Sequence, residues 1–112
     1  MMELTILQQK LLDEYYRNER ALVVHKKALE DYDFPGNISQ KTINGKTRYY
    51  LQWRDGKHIR CKYLNKDVVP IMQQEIQIRE MHKTSIKRIN QDMKDLRKYL
   101  GDALINEYRE KL

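Results

Sequence analysis

The chain of 112 residues changes its hydrophobic period twice, and that change confines it to one class of fold. No Gly or Pro precedes Pro35, and none lies between Pro70 and Gly101. In both stretches apolar residues recur at spacings of three and four, the signature of helices with one buried stripe. Between them the period falls to two. In Arg48-Tyr49-Tyr50-Leu51-Gln52-Trp53-Arg54, Tyr49, Leu51 and Trp53 alternate with polar or charged neighbours, which is the pattern of a half-buried strand. The reading is α+β: a helix, a three-stranded antiparallel meander, then a long helix.

The first helix is expected over residues 3–32, where Leu4, Leu7, Leu11, Leu12, Tyr15, Leu22, Val23 and Leu29 form the stripe. Asp33-Phe34-Pro35-Gly36-Asn37 stops it, because Pro removes a donor and Gly-Asn favours a turn. The meander occupies residues 38–64. Its first turn, Asn44-Gly45, suits a type I′ hairpin, which needs positive φ at both central residues. That loop sets Ile38 opposite Leu51 and Lys41 opposite Arg48. For the second turn, Asp55-Gly56 as the two central residues would set Leu51 opposite Arg60 and mix the faces. A three-residue loop, Arg54-Asp55-Gly56, sets Leu51 opposite Ile59 and Tyr49 opposite Cys61, so that paired residues share a face. The expected apolar face is then Ile38, Tyr49, Leu51, Trp53, Ile59, Cys61 and Tyr63, packed on a helix. Asn65 or Asp67 caps a long helix over 67–112, which Gly101 either kinks or ends, with Asp102 then starting a final turn through Leu104, Ile105 and Tyr108. Ile86, Ile89, Met93, Leu96, Leu100 and Ala103 alternate in threes and fours as a short coiled-coil seam. One domain, 1–112, accommodates all of this.

Charge is distributed as unevenly as hydrophobicity. Ile38 to Lys66 holds eight Lys or Arg and one acid, Asp55, so it carries +7 of a net charge of +6 for the whole chain. A basic surface this concentrated is the footprint of a polyanion or an acidic partner. The candidate contact residues are Lys41, Arg48, Tyr50, Gln52, Arg54, His58, Arg60 and Lys62. Arg and Gln can read base edges, Lys neutralises phosphate, and Tyr50 can stack on an unpaired base. A second candidate surface lies at the end of the long helix. The first helix spans only about two-thirds of the second at 1.5 Å per residue. Leu96, Leu100, Leu104 and Tyr108 are then left to bind a second copy, as a homodimer, or another protein.

Other chemistries find little support. His25, His58 and His82 do not share a helical spacing, and no Cys or carboxylate cluster accompanies them, so no metal site is expected. There is no phosphate loop, nucleophile elbow or zinc signature, and neither an enzyme nor a cofactor is expected. Cys61 is the lone cysteine and reads as a buried structural thiol. No apolar run reaches membrane length. Met1-Met2-Glu3-Leu4 lacks the features of a signal peptide, which points to the cytoplasm.

The block Pro35-Gly36-Asn37-Ile38, Lys41-Thr42-Ile43-Asn44-Gly45-Lys46, Tyr49-Tyr50-Leu51-Gln52-Trp53-Arg54-Asp55-Gly56-Lys57 and Lys62-Tyr63-Leu64-Asn65-Lys66 resembles a pattern. A group of small uncharacterised proteins of bacteria, archaea, phages and mobile elements shares it. Arg48 replaces a Tyr of that pattern, and Asn65 a Gly. The resemblance implies an architecture and a mobile-element setting, and no activity. The basic meander is also similar to the arm-type DNA-binding domain of phage integrases, which implies a role for Arg48, Tyr50, Gln52, Arg60 and Lys62 in a major groove. The expected function is therefore non-enzymatic binding of DNA or RNA. The alternatives are an anti-CRISPR-type inhibitor acting on an acidic or RNA-containing host complex, and a coiled-coil scaffold.

Overall fold

The computed structural model describes residues 3–111. Its elements run α1 (Ile6–Glu30), β1 (Asn37–Ile43), β2 (Lys46–Asp55), β3 (His58–Leu64), α2 (Val69–Leu100) and α3 (Asp102–Arg109). The fold is α+β, with the three strands in the order β1-β2-β3 in one antiparallel sheet. Met1, Met2 and Leu112, the outermost residues of the expected 1–112 domain, lie outside the described residues. No helix among the described residues is long and apolar enough to cross a membrane.

The first helix starts at Ile6 rather than residue 3 because Thr5 and Gln8 form a capping box. Thr5 Oγ1 accepts from the Gln8 amide, and Gln8 Oε1 accepts from the Thr5 amide, each at 3.0 Å. Two amide donors that the helix cannot satisfy are thereby matched. At the other break, Gly101 has φ 84, a conformation open to glycine at little cost. It ends α2 and starts α3, so the long helix expected over 67–112 is two helices.

Two compact units result, each with its own core. The helical unit takes the described residues up to Ala28 and those from His82 onward. Leu12, Tyr15, Tyr16, Leu100 and Ile105 are buried together, with Leu96, Leu104 and Tyr108 among the side chains packed on them. This corrects the expectation that Leu96, Leu100, Leu104 and Tyr108 lack partners. The turn at Gly101 returns the last helix to α1, where Tyr16 donates to the Ile105 carbonyl. Tyr108 donates to Asp13 Oδ1 at 2.8 Å, and its ring stacks on Tyr16 at 5.8 Å between centroids. The Asp13 hydrogen bond, with burial second, raises the Tyr108 hydroxyl above the ordinary phenol range. Arg97 donates to the Tyr15 hydroxyl at 2.5 Å, a contact that, ahead of nearby Asp102, holds its guanidinium more firmly protonated. Leu7 and Val23, read as part of the α1 stripe, face water.

The sheet unit spans Leu29–Met81. Leu51, Leu64 and Val69 are buried, with Ile38, Tyr49, Trp53, Met72 and Ile76 packed around them. One charged residue joins this interior. Arg79 is only 3% exposed. It donates to the Phe34 carbonyl at 2.9 Å and to Asn37 Oδ1 at 3.2 Å. Its guanidinium also lies 5.0 Å from the Phe34 ring centroid and 2.9 Å from Glu80. A planar fork with several fixed donors suits this work in a way a lysine does not. Arg79 thus ties the turn after α1 to α2. Gly36 in the same turn has φ 98, and a Cβ there would meet the Gln52 carbonyl oxygen at 2.5 Å, so the close approach of strand β2 requires glycine.

Candidate nucleic-acid interface

The two hairpin turns fix which side chains share a face. Asn44 and Gly45 have φ 53 and φ 75, the positive pair that a type I′ turn demands. The register is the expected one, with Ile38 opposite Leu51 and Lys41 opposite Arg48. The second turn differs from expectation. Asp55 pairs with His58, which leaves Gly56-Lys57 as the two-residue loop. Gly56 alone has positive φ there, at 63, as in a turn with Gly at its first central position. Leu51 now stands opposite Lys62, Trp53 opposite Arg60, and Tyr49 opposite Leu64.

The physical reason is Leu64. In the expected register it falls on the polar face; in the observed one it joins Leu51 and Val69 in the core and is 5% exposed. Burying an aliphatic side chain of this size contributes roughly 1.5–3 kcal/mol. The consequence runs through the whole of β3. Ile59, Cys61 and Tyr63, expected in the core, lie on the open face, where Ile59 and Tyr63 are each 60% exposed and Cys61 is exposed. His58, Arg60 and Lys62, expected on the open face, lie on the side that carries α2.

The eight candidate residues are therefore divided. Lys41, Arg48, Tyr50, Gln52 and Arg54 share the open face; His58, Arg60 and Lys62 do not join them. Arg60 instead reaches Asp55 at 3.2 Å, both side chains being more than half exposed, so the pair contributes little to stability. Along the three strands, the open face carries the cations Lys41, Lys46, Arg48 and Arg54 and no acid. All four are exposed. The Lys41 ammonium lies 5.2 Å from the Tyr50 ring centroid, within cation–π range. Tyr50 in turn meets Tyr63 across the strand pair, edge to face, at 5.8 Å.

Sequence reasoning placed Lys46 in the basic segment but not among the contact residues, although its place beside the Asn44-Gly45 turn puts it on this face. It missed Ile59, Cys61 and Tyr63 as surface residues because only the position of the second turn reveals them. It also missed a pairing in the helical unit. His25 and His82 bring their Nδ1 atoms to 3.0 Å, so one nitrogen carries the hydrogen and the other accepts it. Among the described residues no group of three or more His, Cys, Asp or Glu side chains is arranged to hold a metal ion.

No curated protein and no solved structure matches the chain. A family model does match, over residues 1–74, a span that takes in α1, the whole sheet and the first residues of α2. The open face thus lies entirely within the matched region, and the chain belongs to the family described as a domain of unknown function, DUF6788.

Proposed function

We propose that the protein is a non-enzymatic nucleic-acid-binding protein of the cytoplasm, in a phage or mobile-element setting, and that it binds through the open face of its sheet. One observation carries this reading: four cations and no acid along the three strands of the open face. Cations spread over one sheet face at strand spacing can each neutralise a phosphate and release its counterions. Arg48 and Gln52, on the central strand, have the donors and acceptors to meet base edges.

The two faces of β2 and β3 supply the test. Arg48→Ala/Arg54→Ala strips the open face; Arg60→Ala/Lys62→Ala removes an equal charge from the other side. With labelled DNA and RNA over a salt series, the first pair should weaken binding and reduce the slope of log affinity against log salt by about 2. The second should act less. Unchanged affinity in Arg48→Ala/Arg54→Ala would sink the assignment.

A protein target is the second reading, as for an inhibitor of a host defence complex with an acidic or RNA-bearing surface. The exposed apolar residues Ile43, Ile59 and Tyr63 on the same face favour it, and naked nucleic acid would then bind weakly. A coiled-coil scaffold built on the seam of α2 predicts self-assembly with no affinity for polyanions.

A further inference from the structure

The open face is more than a charged surface. Tyr63 and Ile59 are each 60% exposed and Ile43 is 50% exposed, beside the Tyr50–Tyr63 pair. Large apolar side chains on an otherwise basic sheet lie where water must contact them unless a ligand covers them. A duplex does not cover them well. Its phosphates satisfy the cations, but the faces of its bases are stacked on one another and out of reach. A single strand offers both charges and bare π-faces.

We infer that the face takes single-stranded nucleic acid, with an unpaired base stacked on the exposed ring of Tyr63. This rests on the nucleic-acid reading above and narrows it. Along β2 the side chains of Arg48, Tyr50 and Gln52 follow one another on the open face, spanning about 13 Å at strand rise. One hollow lies at each end of that line. Arg48, Tyr63 and Lys66 help line the first, and Ser39, Gln52 and Arg54 the second. The first places two cations beside the ring. The second holds the hydrogen-bonding groups of Ser39, Gln52 and Arg54. Aromatic platform, flanking cations and neighbouring polar groups together are the arrangement by which sheets hold extended single strands. Lys41 over Tyr50 leaves Tyr63 as the freer ring of the pair.

The experiment compares a single-stranded DNA, a single-stranded RNA of the same sequence and the matching duplex, with wild type, Tyr63→Ala and Tyr63→Leu. Tyr63 is exposed enough for both variants to fold, which circular dichroism checks. The expected result is at least one single strand bound about tenfold or more tightly than duplex, with the DNA and RNA arms showing which sugar is preferred. Tyr63→Ala and Tyr63→Leu should each lose about five- to a hundredfold on the single strand, with the salt slope unchanged. Bound single strand should also slow alkylation of Cys61, which stands on the same face opposite Gln52. Equal or tighter binding of duplex, unaffected by Tyr63→Ala, overturns the inference while leaving the nucleic-acid reading intact. No salt-sensitive binding to any of the three removes both. A wild-type dimer that Tyr63→Ala dissolves would show that a second copy covers the face, and would also overturn it.

Discussion

The helical unit gives three of its tyrosines internal partners and leaves Tyr99 exposed, while the sheet unit packs Tyr49 on its core and leaves Tyr63 bare on a basic face. In the helical unit three tyrosines are drawn inward, and each hydroxyl meets a protein group: Tyr15 with Arg97, Tyr16 with the Ile105 carbonyl, Tyr108 with Asp13. In the sheet unit Tyr63 stands in water beside Tyr50, and the only buried charge, Arg79, serves the turn behind the sheet. A tyrosine whose hydroxyl and ring both find partners contributes to stability. One whose ring is left bare on a basic face contributes nothing comparable to the fold and is available for binding. Bare apolar side chains occur in both units, Val23, Val24 and Tyr99 among them in the helical one, but those of the sheet's open face stand among four cations with no acid along the strands.

The strongest way to break this contrast is to remove the centre of the helical core. Leu12 is fully buried, and Leu12→Ala should cost about 3–5 kcal/mol through lost transfer energy and an unfilled cavity. Trp53 is the sole tryptophan and belongs to the sheet unit, so its fluorescence reports that unit while helix dichroism reports mostly the other. If the units have separate stabilities, Leu12→Ala should lower the dichroism midpoint in urea more than the fluorescence midpoint. Coincident shifts would mean that α2, which runs through both, makes them one cooperative structure.

In the sheet unit the corresponding change is Arg79→Met. It keeps much of the volume but leaves the Phe34 carbonyl and Asn37 Oδ1 without their donor. The expected loss is about 2 kcal/mol, read in the Trp53 signal. Arg79→Lys should recover only part of it, because one ammonium cannot reproduce the fork. A loss below that of an ordinary surface substitution in Arg79→Met would show that these hydrogen bonds do not hold the turn.

How far each unit was legible in the sequence follows from where its determinants lie. The change of period, the first hairpin and its register are local, since Asn44-Gly45 fixes them without help. The second hairpin is not. Local pairing rules favour the three-residue loop Arg54-Asp55-Gly56, yet the loop is the two residues Gly56-Lys57, and the choice is made by burial of Leu64 against Val69 on a later helix. Exchanging the three-residue loop for a two-residue one moves the partner of Leu51 from Ile59 to Lys62, an odd slide that carries Ile59, Cys61 and Tyr63 to the other face because side chains alternate. Gly101 was legible as a breaker, but the return of α3 onto α1 was not, for Leu96, Leu100, Leu104 and Tyr108 show the same spacing whether the helix continues or breaks. Only the φ of Gly101 decides. The Thr5–Gln8 capping box, in contrast, is a local motif with a spacing visible in the sequence.

The smallest expected effect isolates one of the inward-facing tyrosines. Tyr108 donates to the Asp13 carboxylate, and that bond, followed by burial, raises its hydroxyl above its ordinary value of 10.0. A raised folded value means that the fold favours the protonated form. Its contribution is complete below the ordinary value and is lost as pH climbs through the higher folded one. Tyr108→Phe has no proton to lose at this position, so its deficit relative to wild type should be largest near pH 8 and shrink toward pH 11. Urea unfolding followed by helix dichroism at both values measures the gap, with the remaining tyrosines common to the two proteins. Asp13→Asn removes the charge that opposes ionisation and should move the onset of the alkaline loss to lower pH. A gap that stays constant from pH 8 to 11 would mean that the Tyr108–Asp13 bond does not anchor α3, and the self-sufficiency of the helical unit would then rest on apolar packing alone.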